Sequence, residues 1–392
     1  MAKALLALFL IFALAPLAAD AQAEDPLVTL GRQIFDTETF NGNGRTCKTC
    51  HDVAEAHSIT PPAIDALFIS DPLDPLFVAD NDPALSTLEN SCLLRGGNKR
   101  ALFLENVDGF ANPPVFRTAP HLFNVGLTAP YGQGGGVALL RDFPLGAITQ
   151  HATKTLARVS GVDFRVPTSG ELDALEAYMD SIKFPADGNL DLDRMIAYAI
   201  QQGADAAAIQ RGRDLFFDPD GLPQCFRCHS GPTLSDADGS LGTGTGNLNF
   251  ATGVVDHPAN TNDGCSGGPG DPSNPLPPDG TNREFNTPGL VGIAGTGPYF
   301  HDNSAETLRD SVAFYATIDF ITSPAGLLLP QFSAFTNQDT DDITAFLEAI
   351  SVDPSLTVAV PSLSPLSTLL LVALLVAIPS LAGLLRRRSS TR

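Results

Sequence analysis

The spacing of apolar positions picks out two helices of one design. After Thr168-Ser169-Gly170-Glu171, a capping-box start, apolar residues fall at Leu172, Leu175, Tyr178, Met179 and Ile182, the spacing of one helix face. Ile343, Phe346, Leu347 and Ile350 repeat the pattern towards the end of the body. Strand-like alternation is scarce between them. Residues 233–284 are dominated by Gly, Asn, Asp, Pro, Thr and Ser, which punctuate turns. The expectation is a mainly α fold with long loops. The ends carry a different pattern. Lys3 precedes a Leu-, Ala- and Phe-rich run that closes on Ala21-Gln22-Ala23, which predicts a signal peptide over 1–23. Leu366 to Leu385 is a nearly uncharged stretch long enough to cross a bilayer, and Arg386-Arg387-Arg388 behind it would stay on the cytoplasmic side. Residues 353–365 read as a linker and 366–392 as a transmembrane or sorting tail.

The body repeats itself. Gly31-Arg32-Gln33-Ile34-Phe35 has its counterpart in Gly212-Arg213-Asp214-Leu215-Phe216, 181 residues on. Phe116-Arg117-Thr118-Ala119-Pro120 leads to Ala129-Pro130-Tyr131, and Phe285-Asn286-Thr287-Pro288 leads to Gly297-Pro298-Tyr299, 168 residues on. So many features in one order predict two tandem domains, at 24–190 and 191–352.

Composition narrows the function. The chain has 392 residues and 43% hydrophobic content, enough for a packed core in each half. A formal net charge of -21 argues against nucleic acid as a partner, because phosphates demand Lys and Arg surfaces. With 35 Gly, 31 Pro and no Trp, such a loop-rich chain needs something besides secondary structure to order it.

That something is indicated by two motifs, Cys47-Lys48-Thr49-Cys50-His51 and Cys225-Phe226-Arg227-Cys228-His229, 178 residues apart. Two thiols at this spacing can form thioethers to both vinyl groups of one haem, and the adjacent His reaches the iron. A redox-active or zinc-binding Cys-x-x-Cys is the alternative. Two copies, each followed by His and lying behind an export signal, favour two covalently bound haem c groups in cytochrome c-like domains. His51 and His229 are then the proximal ligands.

The distal ligands decide the chemistry. The only methionines are Met1, Met179 and Met195, so none follows Cys228. Downstream of that motif the nitrogen and oxygen candidates are His257, Tyr299, His301 and Tyr315. A buried Tyr is more often a core aromatic with a satisfied hydroxyl. Cys92 and Cys265 remain, either joined across the halves or separately buried.

In these residues the chain resembles the bacterial di-haem cytochrome c peroxidase/MauG superfamily. The resemblance spans roughly residues 28–350. It is carried by the two Cys-x-x-Cys-His motifs, the paired Phe-x-Thr…Pro-Tyr segments, and Pro298-Tyr299-Phe300-His301-Asp302 followed by Thr307-Leu308. In peroxidases of that family a Met ligates the second haem a few residues after the Thr-Leu pair, and in MauG-like members a Tyr does so. Tyr315 stands at that place. The resemblance also implies a haem-pocket role for His301. It further implies a calcium ion between the domains, held by Asn124 and the carbonyls of Asn286 and Pro288.

Three departures from the family pattern stand out. Leu102 to Pro120 contains no His where peroxidases carry a switching distal His, which implies an open first site. Gln133 to Asp142 offers Arg141 and Asp142 but no Glu for the family's acid/base position. The Trp that lies between the haems in relatives corresponds to about Gly132, leaving Tyr131 beside it as a candidate relay. His151 is a candidate distal or propionate residue, with a surface His as the alternative. His121 is expected near the domain interface and His57 is expected exposed. Val360-Pro361-Ser362-Leu363-Ser364-Pro365 and the apolar segment behind it resemble IPTL/PEP-type C-terminal sorting signals, with a plain tail anchor as the alternative.

The resemblance implies a periplasmic oxidoreductase tethered to the inner membrane or envelope by its tail. It would reduce hydrogen peroxide at the first haem with electrons relayed through the second, drawn from a periplasmic electron donor or an oxidisable substrate. An electron-transfer module without substrate turnover and a dioxygen-using relative are the alternatives.

Overall fold

The computed structural model describes residues 24–78, 82–93, 101–104, 116–220, 223–256, 284–329 and 336–356. The leader expected over 1–23, His257, Cys265 and the apolar tail at 366–392 lie outside them. Among the described residues no helix is long and apolar enough to cross a membrane.

The fold is mainly α, as expected. The first half comprises α1 (Pro26–Thr37), α2 (Pro61–Ser70), α3 (Pro75–Val78), α4 (Pro83–Leu93), α5 (Phe143–His151) and α6 (Ser169–Ser181). Between α4 and α5 lie the paired strands β1 (Phe103–Leu104) and β2 (Phe116–Arg117). The second half comprises α7 (Leu192–Gln201), α8 (Ala206–Phe217), α9 (Leu308–Phe314), α10 (Ile318–Ile321) and α11 (Asn337–Ala349). Its strands are β3 (Ala237–Asp238) with β4 (Thr245–Gly246), and β5 (Asn249–Phe250) with β6 (Phe285–Asn286), both pairs antiparallel.

Each half is built on one crossing of two helices, α1 on α6 and α8 on α11. The Gly-Arg signature explains how close that crossing is. A Cβ on Gly31 would lie 1.9 Å from the Ala174 carbonyl oxygen, and one on Gly212 would lie 1.9 Å from the Asp342 carbonyl oxygen. Only glycine lets the two backbones touch. The first closing helix starts at the capping box the sequence predicts, and the second starts at a like one that the sequence reading did not single out. The Glu171 carboxylate accepts from the Thr168 N–H at 2.7 Å, and the Asp339 carboxylate accepts from the Thr336 N–H at 2.8 Å, each completing a capping box.

The predicted apolar faces form the cores. Phe35, Leu175, Tyr178, Met179 and Ile182 share one buried cluster, and Phe216, Ile343, Phe346, Leu347 and Ile350 share the other. Contact density sets residues up to Val352 apart from Asp353 onwards, so both repeat halves belong to one compact unit. The described start of the second unit is a 3-10 turn over Pro354–Leu356. Cys92, fully buried on α4, is disulfide-bonded, whereas the four motif cysteines are free.

Candidate haem-binding sites

Both motifs fold into a single 3-10 turn, Cys47–Thr49 and Cys225–Arg227, and the following His closes back onto it. The His51 N–H donates to the Cys47 carbonyl at 3.1 Å, and the His229 N–H donates to the Cys225 carbonyl at 2.9 Å. Each imidazole is then fixed by peptide oxygens. His51 Nδ1 lies 2.9 Å from the His57 carbonyl and His229 Nδ1 lies 2.9 Å from the Leu234 carbonyl. A carbonyl can only accept, so Nδ1 carries the proton and Nε2 keeps its lone pair. That is the tautomer an iron ligand needs, with the orienting bond supplied by the backbone.

The cysteines fit haem attachment. All four are reduced, and burial pushes Cys47 up to about 12, Cys50 to about 11, and Cys225 and Cys228 to about 12. Among the described residues no group of three or more His, Cys, Asp or Glu side chains could hold a bare metal ion. Buried thiol pairs beside a free imidazole Nε2 are what thioether linkage to a haem requires.

The second site carries Tyr315 at the end of α9. Its ring is wedged edge-on against Phe320, with centroids 4.8 Å apart, and against Phe314 at 5.7 Å. Burial, followed by the adjacent Cys225 and Cys228 thiols, raises the phenol above the ordinary tyrosine value. Tyr299 is otherwise engaged, for its hydroxyl lies 3.2 Å from the Ile293 carbonyl and 3.1 Å from that of Ala294. His301 is buried, with Nδ1 3.8 Å from an Asp302 carboxylate oxygen and its ring stacked on Phe285 at 4.3 Å.

At the first site His151 ends α5, and the Asn43 side chain donates to its carbonyl at 2.9 Å. Its imidazole is pushed down to about 4, by burial first and then by Arg45, with His51 among the other charges that act on it. Sequence reading missed Arg45 and Glu89. The Arg45 guanidinium grips the Glu89 carboxylate through two bonds of 2.9 and 2.8 Å and donates to the carbonyls of Pro75 and Leu76. An Arg two places before Cys47 and a lone Glu among the apolar positions of α4 were the available signals.

His121 is pushed down to about 4, by burial and then by His51 and His57, and so belongs beside the first motif. His57 is a correction. It was expected exposed but is buried, because its carbonyl serves His51 and its ring packs edge-on against Phe123, with centroids 6.1 Å apart.

Arg141 and Tyr131 lie on the α6 side of the first half. Arg141 pairs with Asp173 at 2.6 Å, and Arg309 pairs with Asp341 at the same distance in the second half, 168 residues on. A contact that recurs in both halves belongs to the shared scaffold. Tyr131 faces Glu176 and Asp180, which together with burial raise its phenol.

Of the expected calcium donors, Asn124 already spends its side chain within the protein, against the roughly six to eight oxygens a calcium ion takes. The Asn124 amide binds both ends of the Phe184 peptide group, donating to its carbonyl at 2.7 Å and accepting from its N–H at 3.2 Å.

No family model matches the chain. It is similar to a cytochrome-c peroxidase, IdrP1, of Denitromonas iodatirespirans, with 25% identity over 370 residues that cover 86% of this chain and 84% of the relative. The fold is that of a solved MauG-like protein associated with microbial copper homeostasis, with a TM-score of 0.50, 18% identity, and coverage of 86% of this chain and 93% of the other. A diheme peroxidase, BthA, of Burkholderia thailandensis aligns with a TM-score of 0.46 and 19% identity over 83% of this chain and 86% of its own.

Proposed function

We propose that the chain is a di-haem c-type oxidoreductase that reduces hydrogen peroxide at the Cys47/Cys50/His51 site and relays electrons through the Cys225/Cys228/His229 site. Two covalently held haems would supply the iron and its redox couple. The observation that carries the reading is the unlike surroundings of two motifs with the same local fold. A half-buried phenol, Tyr315, lies beside the second pair of cysteines. The first pair has instead a neutral imidazole, His151, near His51. The similarity to a cytochrome-c peroxidase along most of the chain supports the same reading.

The protein's own groups divide the work. His51 and His229 each offer Nε2, because Nδ1 is held by peptide carbonyls. His151 is the proton acceptor and donor of the first site, since a ring that stays neutral at pH 7 has a nitrogen free to take a proton. Overall, peroxide takes up two electrons and two protons and leaves as two waters. Tyr315 would offer its phenol oxygen to the second haem's iron, and a hard oxygen donor of that kind would favour the oxidised state.

We further propose that the body is exported to the periplasm and that segment 366–392 tethers or sorts it there, with a periplasmic donor or an oxidisable substrate as the electron source. Absorption and EPR spectra of the ferric protein, with and without cyanide and peroxide, test the assignment. One iron should bind cyanide and turn over peroxide, and Tyr315→Phe should alter the spectrum of the other. Failure to bind either ligand would make the protein an electron carrier, and oxygen uptake without peroxide would make it an oxygenase.

A further inference from the structure

Tyr131 and Tyr299 stand 168 residues apart at equivalent places in the repeat, and both are nearly inaccessible, at 8% and 9% exposure. Their hydroxyls are used differently. That of Tyr299 is spent on the carbonyls of Ile293 and Ala294. That of Tyr131 has no hydrogen-bond partner among the described residues, and Tyr131 instead lines an open cavity of about 460 Å³. A buried phenol normally finds a partner. One left over at a cavity wall is available to a ligand.

The charged wall of the cavity is one face of α6, where Asp173, Glu176 and Asp180 follow at helical spacing. Two of these carboxylates already hold cations. Asp173 pairs with Arg141 at 2.6 Å, and Asp180 pairs with Lys183 at 3.2 Å. Glu176 accepts from the Arg141 main-chain N–H at 3.2 Å and has no cation partner among the described residues. Leu27 and Leu140 supply an apolar wall.

The second half lacks this arrangement. In place of Glu176 it has Thr344, whose hydroxyl donates to the Thr340 carbonyl within its own helix. In place of Gly126 it has Ala294. A Cβ on Gly126 would lie 1.9 Å from an Asp180 carboxylate oxygen, so the glycine makes room for that carboxylate. The pair Arg141–Asp173 recurs in the repeat, but the surplus carboxylate and the spare phenol do not.

We propose that this cavity is a binding site for a small organic ammonium ion with an apolar body. An ammonium group carries only donors, which Glu176 and the Tyr131 oxygen can accept, while Leu27 and Leu140 cover the apolar part. The volume falls within the range of about 300–1,000 Å³ that small-molecule sites occupy. A formal net charge of -21 favours the approach of a cation. An anion would meet the α6 carboxylates, and a neutral ligand would leave Glu176 without a counter-charge. The inference goes beyond the peroxidase reading and needs no electron transfer.

Titration calorimetry of the holoprotein at neutral pH tests it, with 2-phenylethylammonium as the probe and 2-phenylethanol as its uncharged match. One ammonium ion should bind per chain, about tenfold or more tighter than the alcohol, as a charged hydrogen bond implies. Glu176→Gln keeps an oxygen for the Arg141 N–H and removes the charge. Glu176→Thr installs the residue that the second half carries. Each should weaken binding about tenfold. Tyr131→Phe keeps the ring and should weaken it about threefold or more. Glu348→Gln, at the repeat position of Asp180, should leave the affinity unchanged. Equal affinity for ammonium ion and alcohol overturns the site, as does unchanged affinity in the folded Glu176 variants or no binding of the probe at millimolar concentration. Cyanide binding by the same Glu176→Gln protein should match the parent, so failure of this site and failure of the peroxidase reading are separate results.

Discussion

The pair Arg45–Glu89 offers the sharpest test of how the first site is held. Both residues are nearly inaccessible, at 7% and 5% exposure, and joined by two short bonds. Replacing Glu89 by Leu leaves a guanidinium charge in a dry site without the carboxylate it grips, facing peptide carbonyls such as those of Pro75 and Leu76. Removing one partner of a buried pair costs about 3–5 kcal/mol. A domain's whole stability is about 5–15 kcal/mol, so the variant should be severely weakened. Replacing Arg45 by Met instead leaves the buried carboxylate without its guanidinium and strips both carbonyls of a donor, at about 1–3 kcal/mol each. The double variant Arg45→Met/Glu89→Leu leaves no stranded charge. It should therefore be more stable than the sum of the single losses implies, by at least about 2 kcal/mol, because residues in one network are not additive. Urea unfolding of the four holoproteins, followed by far-UV circular dichroism, measures this directly. Single losses below about 1 kcal/mol, or additivity to within about 0.5 kcal/mol, would refute the claim that the pair is a desolvated ion pair rather than a surface one.

Gly31→Ala should lower the unfolding free energy by about 1–3 kcal/mol as the new methyl drives α1 off the Ala174 carbonyl, and Gly212→Ala should do the same against Asp342; thermal melts check both. Asn124→Gly keeps the left-handed backbone, at φ 56°, but loses the clamp on Phe184, so the destabilisation it produces, about 1–3 kcal/mol, isolates the amide; a silent substitution would show the clamp to be incidental. His121 and His151 are held at about 4 against about 6.5 when unfolded. The unfolded chain therefore binds more protons between those values, and stability should fall as pH drops from about 6.5 to about 4 and then level off. The slope should be shallower in His121→Phe, and an unchanged slope would show that this ring is protonated in the native protein.

The repeat was legible in the sequence because the same physical demand was met twice by the same residues. Gly31 and Gly212, the capping box at Thr168, and the apolar faces of the closing helices are local signals with one structural solution each. The motif histidines were equally plain. What stayed hidden depends on contacts distant in sequence. His57 carries a polar ring in a polar stretch, and nothing local indicates that its carbonyl is needed by His51. Glu89 meets Arg45 only because α4 folds back over the motif. Arg141 looked like a pocket residue because it stands where a relative has its acid, but its partner Asp173 lies one helix away. Asn124 matched a metal donor in sequence, yet the peptide it binds arrives 60 residues later.

The recurrence of Arg141–Asp173 as Arg309–Asp341 has a consequence for how residues in this molecule can be judged. A chain that contains its own structure twice contains its own control experiment. Outside the two haem motifs, a contact that recurs in both halves needs no explanation from the chemistry of one site, and a side chain found at one motif alone does. By that measure Arg141 is ancestral carpentry. His151 beside the first motif and Tyr315 beside the second are where the two halves differ in what they place at the site.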